Sequence, residues 1–289
     1  MKKMVFLICL WLVPSVRSQN EKKATDLAAK AKQSFRKYTT DGYEDAVKLY
    51  EKSLKEAPTV QGYAGLAETY ALLGYEMEQA GEGASDTYDL AVSNANRALA
   101  LDSLSFLSHR ALAVAYFSKD AKTHGDLIFQ SLNRALTLDS TDAETYYWLW
   151  LHLDNDNPES PLIHKALELN SQLFRAQYAL GVLYARRGEY DKAAVHYAAC
   201  KSINEKNHHP YLSQGIAYSK QKRYESAIVE YRKALSLNSR IKEAYLYLGL
   251  AYYYTDRNRE AKKMLKKYLE LVPDSANKAT VESILLEID

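Results

Sequence analysis

Residues 245–252 read Tyr-Leu-Tyr-Leu-Gly-Leu-Ala-Tyr, and this stretch decides the fold. Leu248, Gly249 and Tyr252 lie one and four positions apart, which places them on one face of a helix. Glycine inside a helix costs about 1 kcal/mol relative to alanine, so Gly249 indicates the close approach of another helix. Ala261 is the small residue expected on that second helix, and we expect the ring of Tyr252 to fill the space beside both small residues.

The same pattern recurs upstream at a fixed interval. Gly181, Gly215 and Gly249 are equally spaced along the chain, and each is followed three positions later by a tyrosine. Small residues downstream keep the same interval, at Ala193, Ala227 and Ala261. Pro273 closes the last copy. This pattern resembles the tetratricopeptide repeat (TPR) family, whose unit is a helix–turn–helix of about 34 residues.

The resemblance extends over most of the chain in looser form. Residues 140–173 diverge most, because the bulky run Tyr146–Trp150 stands where a small residue is expected. Residues 276–289 place Val281 and Ile284 on one face and predict a capping helix. We therefore predict an all-α fold, a right-handed α-solenoid of about seven TPR repeats with a C-terminal cap. The predicted repeats are 24–59, 60–104, 105–139, 140–173, 174–207, 208–241 and 242–275.

Residues 1–18 indicate export. Lys2 and Lys3 precede ten apolar residues, Met4–Val13, and Pro14 follows. A basic start, a short apolar run and small residues before a cleavage site are typical of a secretory signal peptide. A membrane span needs about 20 apolar residues, so we expect no stable span. The prediction is an exported, periplasmic or secreted protein of bacterial type; the alternative is a short buried helix.

The overall charge gives no case for nucleic-acid binding, which is typical of clearly basic domains. The whole chain has 38 basic and 36 acidic residues, and removal of residues 1–18 leaves 35 basic and 36 acidic residues. The charges are unevenly distributed. Residues 76–160 hold 14 acidic and 5 basic residues, whereas residues 206–273 hold 6 acidic and 14 basic residues. This asymmetry indicates either solvated helix faces or a surface that steers a partner or supports head-to-tail self-association.

Motifs for catalysis, cofactors or metal ions do not appear. Cys200 occupies a small-residue position and is interpreted as a buried structural thiol rather than a nucleophile. His208 and His209 open a helix, and a solvated turn is favoured there over a metal site. Residues 154–159 superficially resemble a calcium loop but lack its glycine, so an inter-helix turn is expected. We predict no cofactor, no metal and no enzymatic activity.

The TPR resemblance implies where partners would bind. In that family the first helix of each repeat lines a concave groove that commonly binds peptide segments. Family members that hold the carboxylate end of chaperone tails use Lys and Asn there, whereas the candidates in this chain are apolar. The alternative is that they pack between repeats, with a groove role favoured for Tyr253 and Tyr254. The candidates are Trp148, Tyr178, Val182, Leu212, Ile216, Leu246, Leu250, Tyr253 and Tyr254.

These observations predict a non-catalytic protein–protein interaction scaffold or adaptor in the cell envelope or outside the cell. The identity of its protein partners does not follow from the sequence. The alternative function is a ligand-binding accessory protein of an envelope transporter or a surface-polymer machinery. For that function, the aromatic run Tyr146–Trp150 and the long helices around Ala80 would frame the pocket.

Overall fold

The computed structural model describes the backbone of residues 2–288 and the side chains of residues 18–288. This part of the chain contains fifteen α-helices and no β-strand, which confirms the all-α prediction. The predicted signal peptide, residues 1–18, lies outside the described side chains apart from Ser18. The helices are α1 (Lys2–Phe35), α2 (Thr40–Glu56), α3 (Val60–Gln79), α4 (Ser85–Leu101), α5 (Phe106–Asp120), α6 (Gly125–Leu138), α7 (Ala143–Leu153), α8 (Pro161–Leu169), α9 (Phe174–Arg186), α10 (Tyr190–Ile203), α11 (His209–Lys220), α12 (Tyr224–Leu237), α13 (Lys242–Tyr253), α14 (Asn258–Leu271) and α15 (Lys278–Glu287).

Contacts among the helices divide the chain into two compact units, unit 1 (Met1–Asn170) and unit 2 (Ser171–Asp289). In both units each odd-numbered helix packs against the even-numbered helix that follows it. We call the odd members, α1 to α13, first helices and their even partners second helices. In unit 1 the first helices also contact one another in series, α1 with α3, α3 with α5 and α5 with α7. In unit 2, α11 contacts both α9 and α13.

The recurring glycines bring the two helices of a pair together in unit 2. Each faces a side chain of the second helix so closely that an added Cβ would lie 2.5–2.7 Å from it. Tyr252 packs in the same core cluster as Ala261, as expected. The three atoms nearest to an added Cβ at Gly249 all belong to Leu265, so this leucine of α14 lies directly against the glycine. The three contacts are Gly181 with Tyr197, Gly215 with Tyr231 and Gly249 with Leu265.

The tyrosines three positions after these glycines have a different role. Tyr252 is buried, and the guanidinium of Arg257 lies 4.5 Å from its ring centroid. A basic group near an aromatic face gains a cation–π attraction of about 0.5–1 kcal/mol where it remains exposed. The rings therefore link the end of a first helix to the turn or helix that follows. The other two pairs are Tyr184 with Lys192 and Tyr218 with Arg223.

Two kinds of turn connect the helices. Between the first and second helices of unit 2, Gly188, Lys222 and Asp256 all adopt a positive φ, and they recur at the same interval as the helical glycines. After several second helices, an Asx side chain accepts a hydrogen bond from the backbone N–H two residues later. The residues that accept these bonds are Asp102, Asp139, Asn204 and Asn238.

Helix α15 covers the last helix pair. Val281 is fully buried and packs with Leu246, Leu265 and Tyr268. Ile284 and Leu285 pack against the same cluster, so one face of α15 is apolar and the other is exposed. This arrangement covers apolar surface that a further repeat would otherwise bury.

Candidate binding site

A cavity of about 500 Å³ lies within unit 1. Its walls come from α1, α3 and α5, from Tyr50 of α2, from the start of α7 and from the end of α8. First helices thus supply most of the surface. Apolar and charged side chains both line it, with Ala28, Ala64 and Leu107 among the apolar ones. The volume falls within the range of about 300–1,000 Å³ that is usual for ligand pockets.

The cavity follows the same positional rule as the predicted groove. Leu246 and Leu250 are groove candidates because they lie three residues before and one residue after the small residue Gly249. In unit 1 the corresponding small residues are Ala31, Ala67 and Ala113, all of them buried. The same two offsets from these alanines lead to five cavity-lining residues, Ala28, Lys32, Ala64, Glu68 and Arg110, and to Val114, which does not line the cavity. The equivalent positions of unit 1 are therefore partly apolar and partly charged, whereas the candidates of unit 2 are apolar or aromatic.

Arg110 forms the centre of an ion-pair network in the cavity wall. Its Nε donates to Oε1 of Glu68 at 2.8 Å, and its Nη1 donates to both carboxylate oxygens of Asp142 at 2.7 Å. The side chains of Arg110, Glu68 and Asp142 are 9%, 10% and 15% exposed. Asp142 also caps α7 by accepting a hydrogen bond from the N–H of Thr145. The network joins α3, α5 and α7 and fixes the charges of this wall.

Proximity keeps Arg110 and Asp142 ionised. Burial lowers the pKa of Arg110, but Glu68 and Asp142 raise it by more, so the guanidinium stays charged. Burial raises the pKa of Asp142, but Arg110 and the Thr145 hydroxyl outweigh it and hold the pKa below its usual range. A guanidinium that bonds two carboxylates leaves one negative charge in excess.

Tyr50 of α2 reaches the cavity beneath Gly65 of α3. A side chain at position 65 would overlap the ring of Tyr50, so glycine is needed for the tyrosine to lie there. Burial and then the charge of Glu68 raise the pKa of the Tyr50 phenol, which therefore stays protonated at neutral pH.

In unit 1 the sequence-predicted aromatic candidates lie in the core instead. Trp148 is 4% exposed, and its ring lies 5.5 Å from that of Phe117. Trp150 is 1% exposed, and its Nε1 donates to the carbonyl of Asn157 at 3.0 Å. Neither tryptophan lines the cavity. The expectation that Tyr146–Trp150 would frame a ligand pocket is therefore wrong, because these rings fill space between helices.

Most candidates of unit 2 are half-buried between neighbouring helices. The hydroxyl of Tyr178 lies 2.9 Å from Oγ of Ser213 and links α9 to α11. Leu246 is buried, and Leu250 packs against the same cluster beside α15. A direct partner contact by these residues stays a prediction. Three further candidates are half-buried: Val182, Leu212 and Ile216.

Tyr254 is the most exposed of the candidates. Its side chain is 56% exposed, and its ring stacks on Tyr224 with centroids 4.7 Å apart. The neighbouring Tyr253 is half-buried and donates a hydrogen bond to Oε2 of Glu287 in α15, at 2.8 Å. Of the two, Tyr254 therefore presents the larger aromatic surface to solvent.

The remaining sequence motifs prove to be structural. Cys200 is fully buried, its thiol donates to the carbonyl of Phe174, and burial raises its pKa to about 12. The interpretation of Cys200 as a buried structural thiol is confirmed. Residues 154–159 form the turn between α7 and α8, as expected.

The histidine pair differs from its prediction. His208 and His209 are half-buried rather than solvated, and burial lowers the pKa of His208 to about 3. Among the described residues, no group of three or more His, Cys, Asp or Glu side chains could hold a metal ion. No described helix is long and apolar enough to cross a membrane.

Family comparisons agree with the helix pairs. Models described as TPR repeat and tetratricopeptide repeat match residues 161–202, 215–255 and 243–275. Residues 161–202 and 215–275 thus carry tetratricopeptide repeats. The matches begin at α8 and run through the pairs of unit 2, where the repeat interval is most regular. No curated protein matches the chain.

Solved structures show the same TPR fold. The APC/C hetero-tetramer Cut9-Hcn1 matches with a TM-score of 0.59 and 16% identity, over 91% of this chain and 55% of that one. The pilF protein of Pseudomonas aeruginosa matches with a TM-score of 0.57 and 17% identity, over 77% of this chain and 99% of that one. Yeast Tom70 matches with a TM-score of 0.56 and 15% identity, over 94% of this chain and 55% of that one. This chain thus spans about half of the Cut9-Hcn1 and Tom70 chains. The prediction of an all-α solenoid of TPR repeats is confirmed.

Proposed function

We propose that this chain is a non-catalytic scaffold that binds segments of partner proteins in the groove of its first helices. The main support is the cavity of unit 1, because several of its lining residues lie at the same offsets from a small residue as the predicted groove positions of unit 2. The ion pairs of Arg110 hold two wall carboxylates in place. A wall that is already ordered reduces the entropy lost on binding.

The charged groups of the cavity favour binding over catalysis. A general base needs a proton-accepting group within reach of a substrate. Glu68 and Asp142 are both bonded to Arg110, and the pKa of Asp142 is lowered rather than raised toward neutrality. These carboxylates therefore suit recognition and structural support better than proton transfer.

Partner capture from the cavity tests this function. A photo-crosslinking amino acid would replace Gln61, an exposed residue of α3 that lines the cavity. We expect a discrete crosslinked protein in cells that express the chain natively. The matched control replaces Asn96, which is exposed on the second helix α4 and does not line the cavity. Equal products from both positions would argue against a specific site.

Export to the periplasm or the cell exterior is part of the proposal. Its support is the sequence of residues 1–18, with a basic start and a short apolar run. N-terminal sequencing of the protein recovered from cells tests it. The expected result is a mature chain that begins near Gln19, whereas an intact Lys2-Lys3 start in all of the protein would contradict it.

A second candidate function is a ligand-binding accessory protein of an envelope transporter or a surface-polymer machinery. The observation that favours it is the cavity volume of about 500 Å³, which would hold a small molecule. Native mass spectrometry of the purified protein distinguishes the two functions. A bound compound that is retained by the wild type, together with no crosslinked protein from position 61, would favour the second one.

A further inference from the structure

The cavity of unit 1 has two walls of opposite charge. We call Glu68, Asp142 and Glu144 the acidic wall, and Lys32 and Arg36 the basic wall. The acidic wall belongs to α3 and the start of α7, and the basic wall belongs to the end of α1 and the turn residue that follows it. The backbone N–H of Arg36 donates to the carbonyl of Lys32 at 3.1 Å, so the two residues are one helical turn apart at the end of α1.

The acidic wall keeps a negative excess although Arg110 lies within it. Arg110 is bonded to Glu68 and to Asp142, so its charge is already matched by two carboxylates. Glu144 adds a third carboxylate to the lining. A ligand carboxylate would have to displace Glu68 or Asp142 to reach Arg110, and breaking a buried ion pair is strongly unfavourable. This wall therefore favours a cation.

The basic wall offers charges that are free to engage a ligand. Both Lys32 and Arg36 are exposed, and none of the ion pairs among the described residues includes either of them. Their long side chains can extend along the rim toward an anion. Apolar surface from Ala28, Ala64 and Leu107 also lines the cavity and would contact a hydrocarbon chain.

We propose that this cavity recognises a bipolar ligand, namely a partner segment that presents an ammonium or guanidinium group and a carboxylate on either side of a short apolar stretch. The cationic group binds the acidic wall, and the carboxylate binds Lys32 and Arg36. This inference rests on the proposed function, because it gives the charge class of the segment that the groove binds. It differs from recognition of a carboxylate alone.

A minimal bipolar probe tests the charge rule without knowledge of the partner. 6-Aminohexanoate carries an ammonium and a carboxylate on a five-methylene chain, and hexanoate and hexylamine each lack one charge. Binding is measured by NMR chemical-shift titration of the full chain. We expect 6-aminohexanoate to bind at least ten-fold more tightly than either control. Dissociation constants within two-fold of one another for the three probes would overturn the proposal.

Charge-reversal variants assign the two walls. Lys32→Glu and Glu144→Lys should each weaken 6-aminohexanoate binding at least ten-fold. In the double variant the probe can bind in the opposite orientation, so its affinity should return to within about three-fold of the wild type. Lys30→Glu and Glu82→Lys are matched controls, since both residues are exposed and lie outside the cavity. If Glu144→Lys fails to fold, Arg36→Glu combined with Lys32→Glu tests the basic wall alone. Unchanged binding in that variant would overturn the proposal.

The outcomes separate this proposal from the function on which it rests. A crosslinked partner from position 61 together with equal binding of all three probes would retain the scaffold and exclude the bipolar rule. Ten-fold preference for 6-aminohexanoate without any crosslinked partner would retain the rule and exclude the scaffold. Loss of the crosslink in Lys32→Glu and its recovery in the double variant would support both the scaffold function and the bipolar rule.

Discussion

Nη1 of Arg110 lies 2.7 Å from both carboxylate oxygens of Asp142, which joins α5 to the N-cap of α7. The same guanidinium bonds Glu68 of α3, so one side chain holds three first helices. The cavity of unit 1 is thus shaped by a polar contact as well as by apolar packing.

Replacement of Arg110 by methionine should destabilise unit 1 strongly. The change leaves Glu68 and Asp142 without their cation, and the loss of one partner from a buried ion pair costs about 3–5 kcal/mol. Urea unfolding followed by circular dichroism measures the effect. The control is Lys119→Met, which removes an exposed pair with Asp89 and should have a much smaller effect, because exposed ion pairs contribute little to stability. Similar losses in the two variants would show that the network contributes little.

The same network predicts a dependence of stability on pH. The folded-state pKa of Asp142 lies below its usual value of 3.8, so its stabilisation is complete above that value. It is lost as the pH falls through the lowered pKa, because the unfolded state then binds the proton more readily. We expect the urea midpoint of the wild type to fall more steeply between pH 5 and pH 2 than that of Asp142→Asn. Parallel pH profiles would contradict this.

Gly215→Ala should destabilise unit 2, although alanine favours helices. The new Cβ would lie 2.5 Å from the ring of Tyr231, which is fully buried, so the ring or one of the two helices has to shift. Overpacking of this kind costs about 1–3 kcal/mol. Gly83→Ala is the control, since nothing lies within 4 Å of its added Cβ. Thermal unfolding should show a lower midpoint for Gly215→Ala only.

Lys222→Gly should stabilise the chain. Lys222 has a φ of 59°, a left-handed conformation that costs a non-glycine residue about 1–2 kcal/mol. Glycine relieves this cost, less the greater entropy it loses on folding, so we expect a net gain of about 0.5–1 kcal/mol. The equivalent position in the preceding repeat already holds a glycine, Gly188, at a φ of 78°. Gly188→Ala should have the opposite effect, and a gain there would refute the explanation.

Tyr254→Ala should weaken partner capture and leave stability almost unchanged. Its ring is 56% exposed, so the loss of contacts on folding is small. Tyr252→Ala is the matched comparison, because Tyr252 is 5% exposed and its truncation should cost about 3–5 kcal/mol. Capture is measured by crosslinking from a neighbouring position, and stability by thermal unfolding. A large fall in the unfolding midpoint of Tyr254→Ala would place this ring in the core.

Much of the helical organisation can be predicted from spacing alone. The equal intervals between Gly181, Gly215 and Gly249 indicate a repeat, and the periodicity within each copy shows which face is buried. Periodicity does not show which side chain on the other helix meets that face. For this reason spacing predicts the need for a small residue at position 249 but not its contact with Leu265.

Only part of the binding site can be predicted from the sequence by the same reasoning. The offsets that lead to Leu246 and Leu250 also lead to Lys32, Glu68 and Arg110 when they are applied to the buried alanines of unit 1. Looser repeat spacing hides this correspondence in the sequence. The ion pairs themselves join residues 42 and 32 positions apart, and no local pattern predicts such pairs.

Repeat proteins usually behave as one-dimensional arrays in which each repeat is stabilised by its immediate neighbours only. Arg110 ties two such interfaces together, because its ion pairs join its own helix pair both to the pair that holds Glu68 and to the pair that holds Asp142. The two interfaces therefore depend on one side chain, and loss of either carboxylate changes the charge balance at the other. We therefore expect the second, third and fourth helix pairs to exchange their backbone amide hydrogens as one cooperative block, while opening of single repeats is confined to the rest of the chain.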